Sequence, residues 1–385
     1  MSDEHSLTLI LESKPRGFNQ IEFLRIIGCI AIVLLHFCYG NGLGEFAGDD
    51  KFFRKAMSMT SSGQKAVDLF FIISGFFFAW TLNTEKTLCE FLQKKLIRLY
   101  PPFVFSILLF AIGAITAGIP FTFYQNIMDL LILNGTPLSI HKGNGIVFWY
   151  VSTLLWITTL FFYCRKHFSK PAVDLFIAAA SFFSYAFIIH AKDGIINNHL
   201  QTFGYVFSCS MLRGFGGLGL GYFIGEWYKK YQQQISNLHF SWKFKAVFTV
   251  LDFICLYFII NNLMLHKPRF HNHLLFVISF AAIIILFLLK QGYISKLLER
   301  RIWIFLSRYT YSIYVTHYFV RDLFKFTIWR HHKDLVLACP PLSLAIPVII
   351  SIVLGVVTYH LIEKPIINIL TGLINKWKTG NNSSL

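Results

Sequence analysis

The chain has 385 residues, of which 55% are hydrophobic types and only 14% are Asp, Glu, Lys or Arg, with a mean hydropathy of +0.56. A soluble domain carries roughly a quarter charged residues and must cover its surface with polar groups, so water is excluded as the main solvent, as are disorder, a collagen-like chain and a disulfide-stapled secreted fold. The net charge of +16 does not point to nucleic acid, because Lys and Arg gather in loops on the cytoplasmic side of a membrane and no segment joins a basic stripe to a soluble fold.

Residues 1–20 are polar and of mixed charge, lack the pattern of a cleaved signal peptide, and read as a cytoplasmic segment. Stretches of about twenty apolar residues, enough to cross ~30 Å of hydrocarbon, then recur near 21–41, 64–82, 101–119, 145–164, 172–190, 203–224, 244–264, 273–290, 303–323 and 342–363. The expectation is an all-α integral membrane protein, one bundle of about ten helices over 21–365, with 366–385 as a cytoplasmic tail. The apolar run 127–133 is too short to span and reads as an interfacial or re-entrant piece. Lys and Arg in alternate loops place both termini in the cytoplasm. The seven cysteines form no CxxC pair and no metal-like cluster with His, and read as small buried hydrophobes.

Ionisable groups within a span cost free energy and are functional candidates by default. Arg25 and His36 are eleven residues apart in the first span, which is 20° from three full turns and a rise of ~16 Å, so both point from one face. The duller readings are a snorkelling Arg and a packing histidine. The second span descends from outside, which puts Asp68 close in depth to His36; a carboxylate beside an imidazole fixes its tautomer and supports a catalytic base. Asp68 also suits a helix N-terminus simply by its charge. Ser74 and Gly75 follow, and Gly75 reads as a packing residue.

Before the third span, Lys94, Lys95 and Arg98 precede Pro101, which suits a helix start there. Lys95 and Arg98 share a face, either as positive-inside decoration or as a phosphate site. Trp149 and Tyr150 belong to an interfacial belt or stack a sugar. Arg213, among glycines, is a structural counter-charge or a substrate contact. His317 lies near the level of His36 and Asp68, and Glu363 at an inner helix end reads as structural. Ten spans with buried Arg, His and Asp would also describe a secondary transporter, although no internal repeat is visible.

Five blocks, EFLRIIGCIAIVLLHF, AVDLFFIISGF, KKLIRLYPPF, SRYTYSIYVTH and YHLIEKP, together resemble, in order and spacing, the signature blocks of the acyltransferase-3 family. These are multi-pass membrane enzymes that typically O-acylate carbohydrates and other envelope acceptors. The resemblance covers residues 22–365 and implies roles residue by residue. His36 is the expected catalytic residue, with Asp68 beside it, and Arg25, Lys95 and Arg98 are expected to hold the phosphates of acetyl-CoA or another acyl-CoA. Lys95 stands where the family's RxxR pair has its first Arg, which keeps the charge but not the bidentate fork. Ser74, Tyr314 and His317 match motif positions expected near substrate; Trp149 and Arg213, outside the five blocks, are expected as further acceptor contacts from the residues alone. The implied acceptor is a polysaccharide or its lipid-linked glycan precursor, with membrane lipid around the protein, no metal, and a place in the cell inner membrane. A non-carbohydrate acceptor is the alternative.

Overall fold

The computed structural model describes residues 18–39, 42–44, 50–84, 87–138, 147–191, 202–203, 207–238, 240–264 and 273–382. The polar segment 1–20 lies outside the described residues apart from 18–20, as do the first residues of the span expected at 145–164. The helices in chain order are α1 Asn19–Cys38, α2 Lys51–Thr60, α3 Ala66–Thr84, α4 Leu88–Ala117, α5 Phe123–Leu130, α6 Trp149–His167 and α7 Lys170–Ala191. There follow α8 Cys209–Ser236, α9 Trp242–Met264, α10 His273–Leu289, the short α11 Tyr293–Leu297, α12 Ile302–Ser307, α13 Thr310–Phe324, α14 Lys333–Ala338, α15 Pro340–Thr358 and α16 Lys364–Asn382. A two-residue antiparallel pairing, Thr202 with Ser208 and Phe203 with Phe207, precedes α8. The protein is an all-α membrane protein. Six helical stretches are long and apolar enough to cross a membrane: Asn19–Cys38, Lys51–Leu82, Leu88–Ala117, Lys170–His190, Trp242–Leu263 and Pro340–Lys376.

Large apolar side chains such as Ile115, Leu175, Phe182 and Phe253 are exposed, an outer surface that lipid can cover and water cannot. At the centre, α3 lies against α8 through small residues. A Cβ on Gly75 would run into the Leu218 carbonyl, and one on Gly221 into that of Ile72. Gly217 and Gly225 likewise meet Phe71 and Ala79. With lipid as apolar as Leu, such close approach is what lets two helices gain packing energy over solvation by lipid.

Several elements differ from the sequence reading, among them the span expected at 303–323, which is broken into α12 and α13 at Arg308 and Tyr309. The helix expected to begin at Pro101 begins at Leu88, with the Thr87 hydroxyl accepting from Glu90 N at 3.2 Å, and carries Pro101 and Pro102 inside it. Residues 51–60, read as an outer loop, form α2, capped by Asp50, whose side chain accepts from Phe52 N (2.8 Å) and Phe53 N (3.2 Å). The segment expected as a polar tail continues α15 as α16 through a widened π turn at Tyr359–Glu363. Pro365 explains that turn, because its ring clashes with the carbonyl four residues back and it has no N–H to donate.

The short α5 leads into a tight turn. Ile132 has φ 54, and its carbonyl accepts from Trp156 Nε1 at 2.8 Å and from the Ser152 hydroxyl. Asn134 Nδ2 donates to the buried Asp129 Oδ1 at 2.8 Å. Burial outweighs that hydrogen bond and pushes the Asp129 carboxyl up to about 7.

Candidate active site

Helical period decides which side chains meet. On α3, residues 70, 73, 74, 77, 78 and 81 form one stripe at helical spacing, and this stripe walls a cavity of about 210 Å³. On α4 the matching stripe is Phe91, Lys94, Lys95 and Arg98. Leu99 of α4, Arg25 of α1, Tyr150, Val151 and Leu154 of α6, and Thr310, Tyr311 and Tyr314 of α13 complete the lining. Arg25, Ser74, Lys95, Arg98 and Tyr314, five residues singled out in the sequence, therefore share one chamber although they come from four helices.

The chamber is polar at one end and apolar along its length. Lys94 and Arg98 are exposed at the polar end. Arg25 Nη1 pairs with Glu22 Oε2 at 3.0 Å, and Lys95 Nζ sits 5.1 Å from the centre of the Phe91 ring. Glu22 and, farther off, Glu363 face these four cations, which leaves a net positive charge, and two of the cations rest partly on a ring face or in a local pair, so they are held in place rather than swinging freely. Phe70, Ile73 and Phe77 supply an apolar wall. Such a chamber fits a slender apolar chain whose anionic end stays at the mouth.

At the far end the polar groups are tied to one another. Ser74 Oγ lies 3.0 Å from Tyr150 OH, and Tyr314 OH donates to the Val147 carbonyl at 2.7 Å. The Tyr150 and Tyr314 rings meet edge to face at 5.6 Å. One helical turn beyond Tyr314 on the same face is His317, its ring 5.9 Å from that of Tyr314.

His317 is the hydrogen-bond partner of His36. His36 Nδ1 and His317 Nε2 are 2.9 Å apart, with the rings stacked at 5.1 Å, and Tyr318 abuts His36 edge-on at 5.2 Å. The tautomers follow from the network. His317 Nδ1 lies 3.1 Å from the Ile313 carbonyl, which can only accept, so this nitrogen carries the proton. In neutral His317 the Nε2 is then an acceptor, so His36 donates from Nδ1 and carries its lone pair on Nε2. That is a base oriented by a neutral imidazole. His317 is fully buried and His36 partly so.

The carboxylate expected to orient His36 is engaged elsewhere. Arg213 Nε donates to Asp68 Oδ1 at 3.1 Å and Arg213 Nη2 to Oδ2 at 2.8 Å, with Nη2 also donating to the Gln64 carbonyl at 3.1 Å. The two side chains are 2% and 0% exposed. Asp68 and Ser74 are six residues apart on α3, 600° of rotation, which leaves them about 120° apart. If Ser74 faces the chamber, Asp68 must face α8. The side chain therefore points to Arg213 of α8 and not to His36. Trp149 is buried with its ring 5.1 Å from the Arg213 guanidinium carbon, so it packs on the ion pair rather than standing in an interfacial belt.

The Ser312 hydroxyl donates to Glu363 Oε2 at 2.5 Å, joining α13 to the π turn. Missed in the sequence was the polar end of α13. The Arg321 guanidinium lies 3.8 Å from the centre of the Tyr318 ring and pairs with Asp322 at 2.8 Å. Both are buried, with Lys325 beyond them. Arg321 is one turn on from His317 and lies inside the span expected at 303–323, a spacing that could have flagged it.

A family model described as an acyltransferase domain matches residues 18–361. No curated protein and no solved structure matches the chain.

Proposed function

The chain belongs to the acyltransferase-3 family, and on that premise we propose that this acyltransferase takes its acyl group, most simply acetyl, from cytoplasmic acyl-CoA. The acceptor is a hydroxyl of a cell-surface polysaccharide or of its lipid-linked precursor. The reading places the protein in the cell inner membrane with both termini in the cytoplasm. The six apolar stretches and α6, α8, α10 and α13 then make ten crossings.

The observation that carries it is the chamber's polarity. Arg25, Lys95 and Arg98 stand at one end, and Tyr314 at the other adjoins the His36–His317 pair. The CoA phosphates would sit among the cations, where Arg98 can grip bidentately and Lys95 acts as a point charge. The pantetheine arm would lie along the α3 stripe and carry the thioester toward His36. His36 Nε2 takes the proton of the acceptor hydroxyl as its oxygen attacks the thioester carbon. The C–S bond breaks as the C–O bond forms, and the imidazolium returns the proton to the departing CoA thiolate. His317 supports the step by accepting from His36 Nδ1, a bond that strengthens when His36 becomes positive. Asp68 and Arg213 act at one remove, by fixing α3 against α8 so that the Ser74 face is presented to the chamber.

The experiment is mass spectrometry of envelope glycans from cells expressing the wild type or His36→Ala. The reading expects one acyl unit of extra mass on a glycan only with the wild type. Identical glycans in both strains, at equal protein levels, would overturn the acceptor assignment.

A further inference from the structure

A second concavity lies at the same end of the bundle as the chamber mouth. Thr81 lines the chamber and Leu82 lines this groove, so the two flank the C-terminal end of α3. Its volume is about 700 Å³, inside the roughly 300–1,000 Å³ range of small-molecule sites. Four cations line it, Arg165, Lys170, Lys229 and Lys230, with Glu226 the one acidic lining residue.

The acidic groups act as struts. Glu226 pairs with Lys229 at 2.5 Å and with Lys170 at 3.2 Å. Asp174 pairs with Lys170 at 2.6 Å and accepts from Tyr222 OH at 2.7 Å. Lys229 also donates to the Ala79 carbonyl at 2.8 Å, near the end of α3. These bonds fix two ammonium groups at the groove from three helices. Arg165 and Lys230 have no carboxylate partner among the described residues. Among the described residues, four cations against two carboxylates leave a charge of +2 at the groove.

The other wall is apolar. Leu82, Phe223 and the half-buried Trp227 face the same space, and a Trp beside Lys and Arg at the end of a bundle is the composition of a membrane–water interface. A ligand matched to the groove needs a compact anionic head beside an aliphatic body. A basic pocket between helices at a bundle end holds an anionic lipid head for that reason.

We propose that this groove binds an anionic phospholipid, its phosphodiester between Arg165 and Lys230 and the fixed lysines, and its chain against Phe223 and Trp227. The lipid clips the ends of α3, α6, α7 and α8 beside the chamber mouth. The assignment does not depend on the acyl donor.

The test uses the full chain purified in detergent, with retained lipid read by native mass spectrometry and stability by thermal unfolding. Phosphatidylglycerol is expected to bind and raise the unfolding temperature, whereas phosphatidylcholine and inorganic phosphate do neither. Arg165→Gln/Lys230→Gln should bind phosphatidylglycerol about thirtyfold more weakly, as expected for two basic groups at a membrane surface, with CoA affinity unchanged. The single change Lys230→Gln, at an exposed residue whose ammonium lies over the Tyr231 ring, should cost about fivefold, and Lys230→Arg should restore binding. Equal binding of the two lipids, or unchanged phosphatidylglycerol binding in both Gln variants, would overturn the proposal. So would inorganic phosphate matching the lipid, or CoA affinity falling in step with it, since the groove would then hold a free anion or the donor.

Discussion

Replacing Asp68 separates a structural carboxylate from a catalytic one. Asp68 and Arg213 are 0% and 2% exposed and joined by two hydrogen bonds of 3.1 and 2.8 Å. Asp68→Asn keeps the shape but removes the charge, and turns one acceptor into an amide that faces the Arg213 Nη2 donor. Breaking a buried pair at one partner costs about 3–5 kcal/mol, because the remaining charge is left uncompensated. Replacing both partners by apolar groups, as in Asp68→Leu/Arg213→Met, removes that charge as well and should recover most of the loss. The assay is thermal unfolding in detergent, with acyl-CoA consumption normalised to folded protein. Asp68→Asn should be strongly destabilised, and the double variant should regain both stability and a measurable rate. If Asp68→Asn unfolds like the wild type yet consumes no acyl-CoA, the carboxylate belongs to the chemistry and its assignment to the α3–α8 interface is wrong.

His317→Phe removes the acceptor of the His36 Nδ1 proton and should lower kcat by about 10²–10⁴-fold with CoA affinity intact; His317→Gln, whose carbonyl can accept, should recover part of the rate. Arg98→Ala should weaken CoA binding about ten- to a hundredfold, the worth of one charged hydrogen bond, as read by calorimetric titration, and the loss should shrink as salt is raised. Gly221→Leu places a side chain against the Ile72 carbonyl and should cost at least about 1–3 kcal/mol in thermal unfolding. The Asp129 carboxyl is raised from 3.8 unfolded to about 7 folded. The folded state therefore holds its proton longer. Stability from this group is full below pH ~4 and falls as pH rises to about 7, by up to ~4 kcal/mol. Asp129→Asn should flatten that window and be the more stable protein at pH 8.

Much of the chamber was legible because it obeys a single-helix rule. Lys95 and Arg98 share a face at a spacing of three and both line the chamber with Arg25, whereas His36 is outside the lining and meets His317 instead. What joins His36 to His317 is a register between helices 281 residues apart in sequence, which no local periodicity encodes. Asp68 shows the limit of depth as a guide, since its level in the bundle left its azimuth open, and the azimuth sends it to Arg213. Pro101 read as a helix start because proline favours that position. The Thr87 cap of α4, fourteen residues earlier, was masked by the polar, basic run between them. The basic charge of Lys51, Arg54 and Lys55 hid α2 in the same way, although the Asp50 cap marks its start.

The most direct test of His36 as the base is to incubate purified wild type and His36→Ala with labelled acetyl-CoA and an envelope extract as the acceptor source, measuring CoA affinity in parallel. The account predicts unchanged CoA affinity and no label transfer in the variant. Transfer at the wild-type rate, or a loss of CoA affinity that alone accounts for the lost transfer, would contradict it.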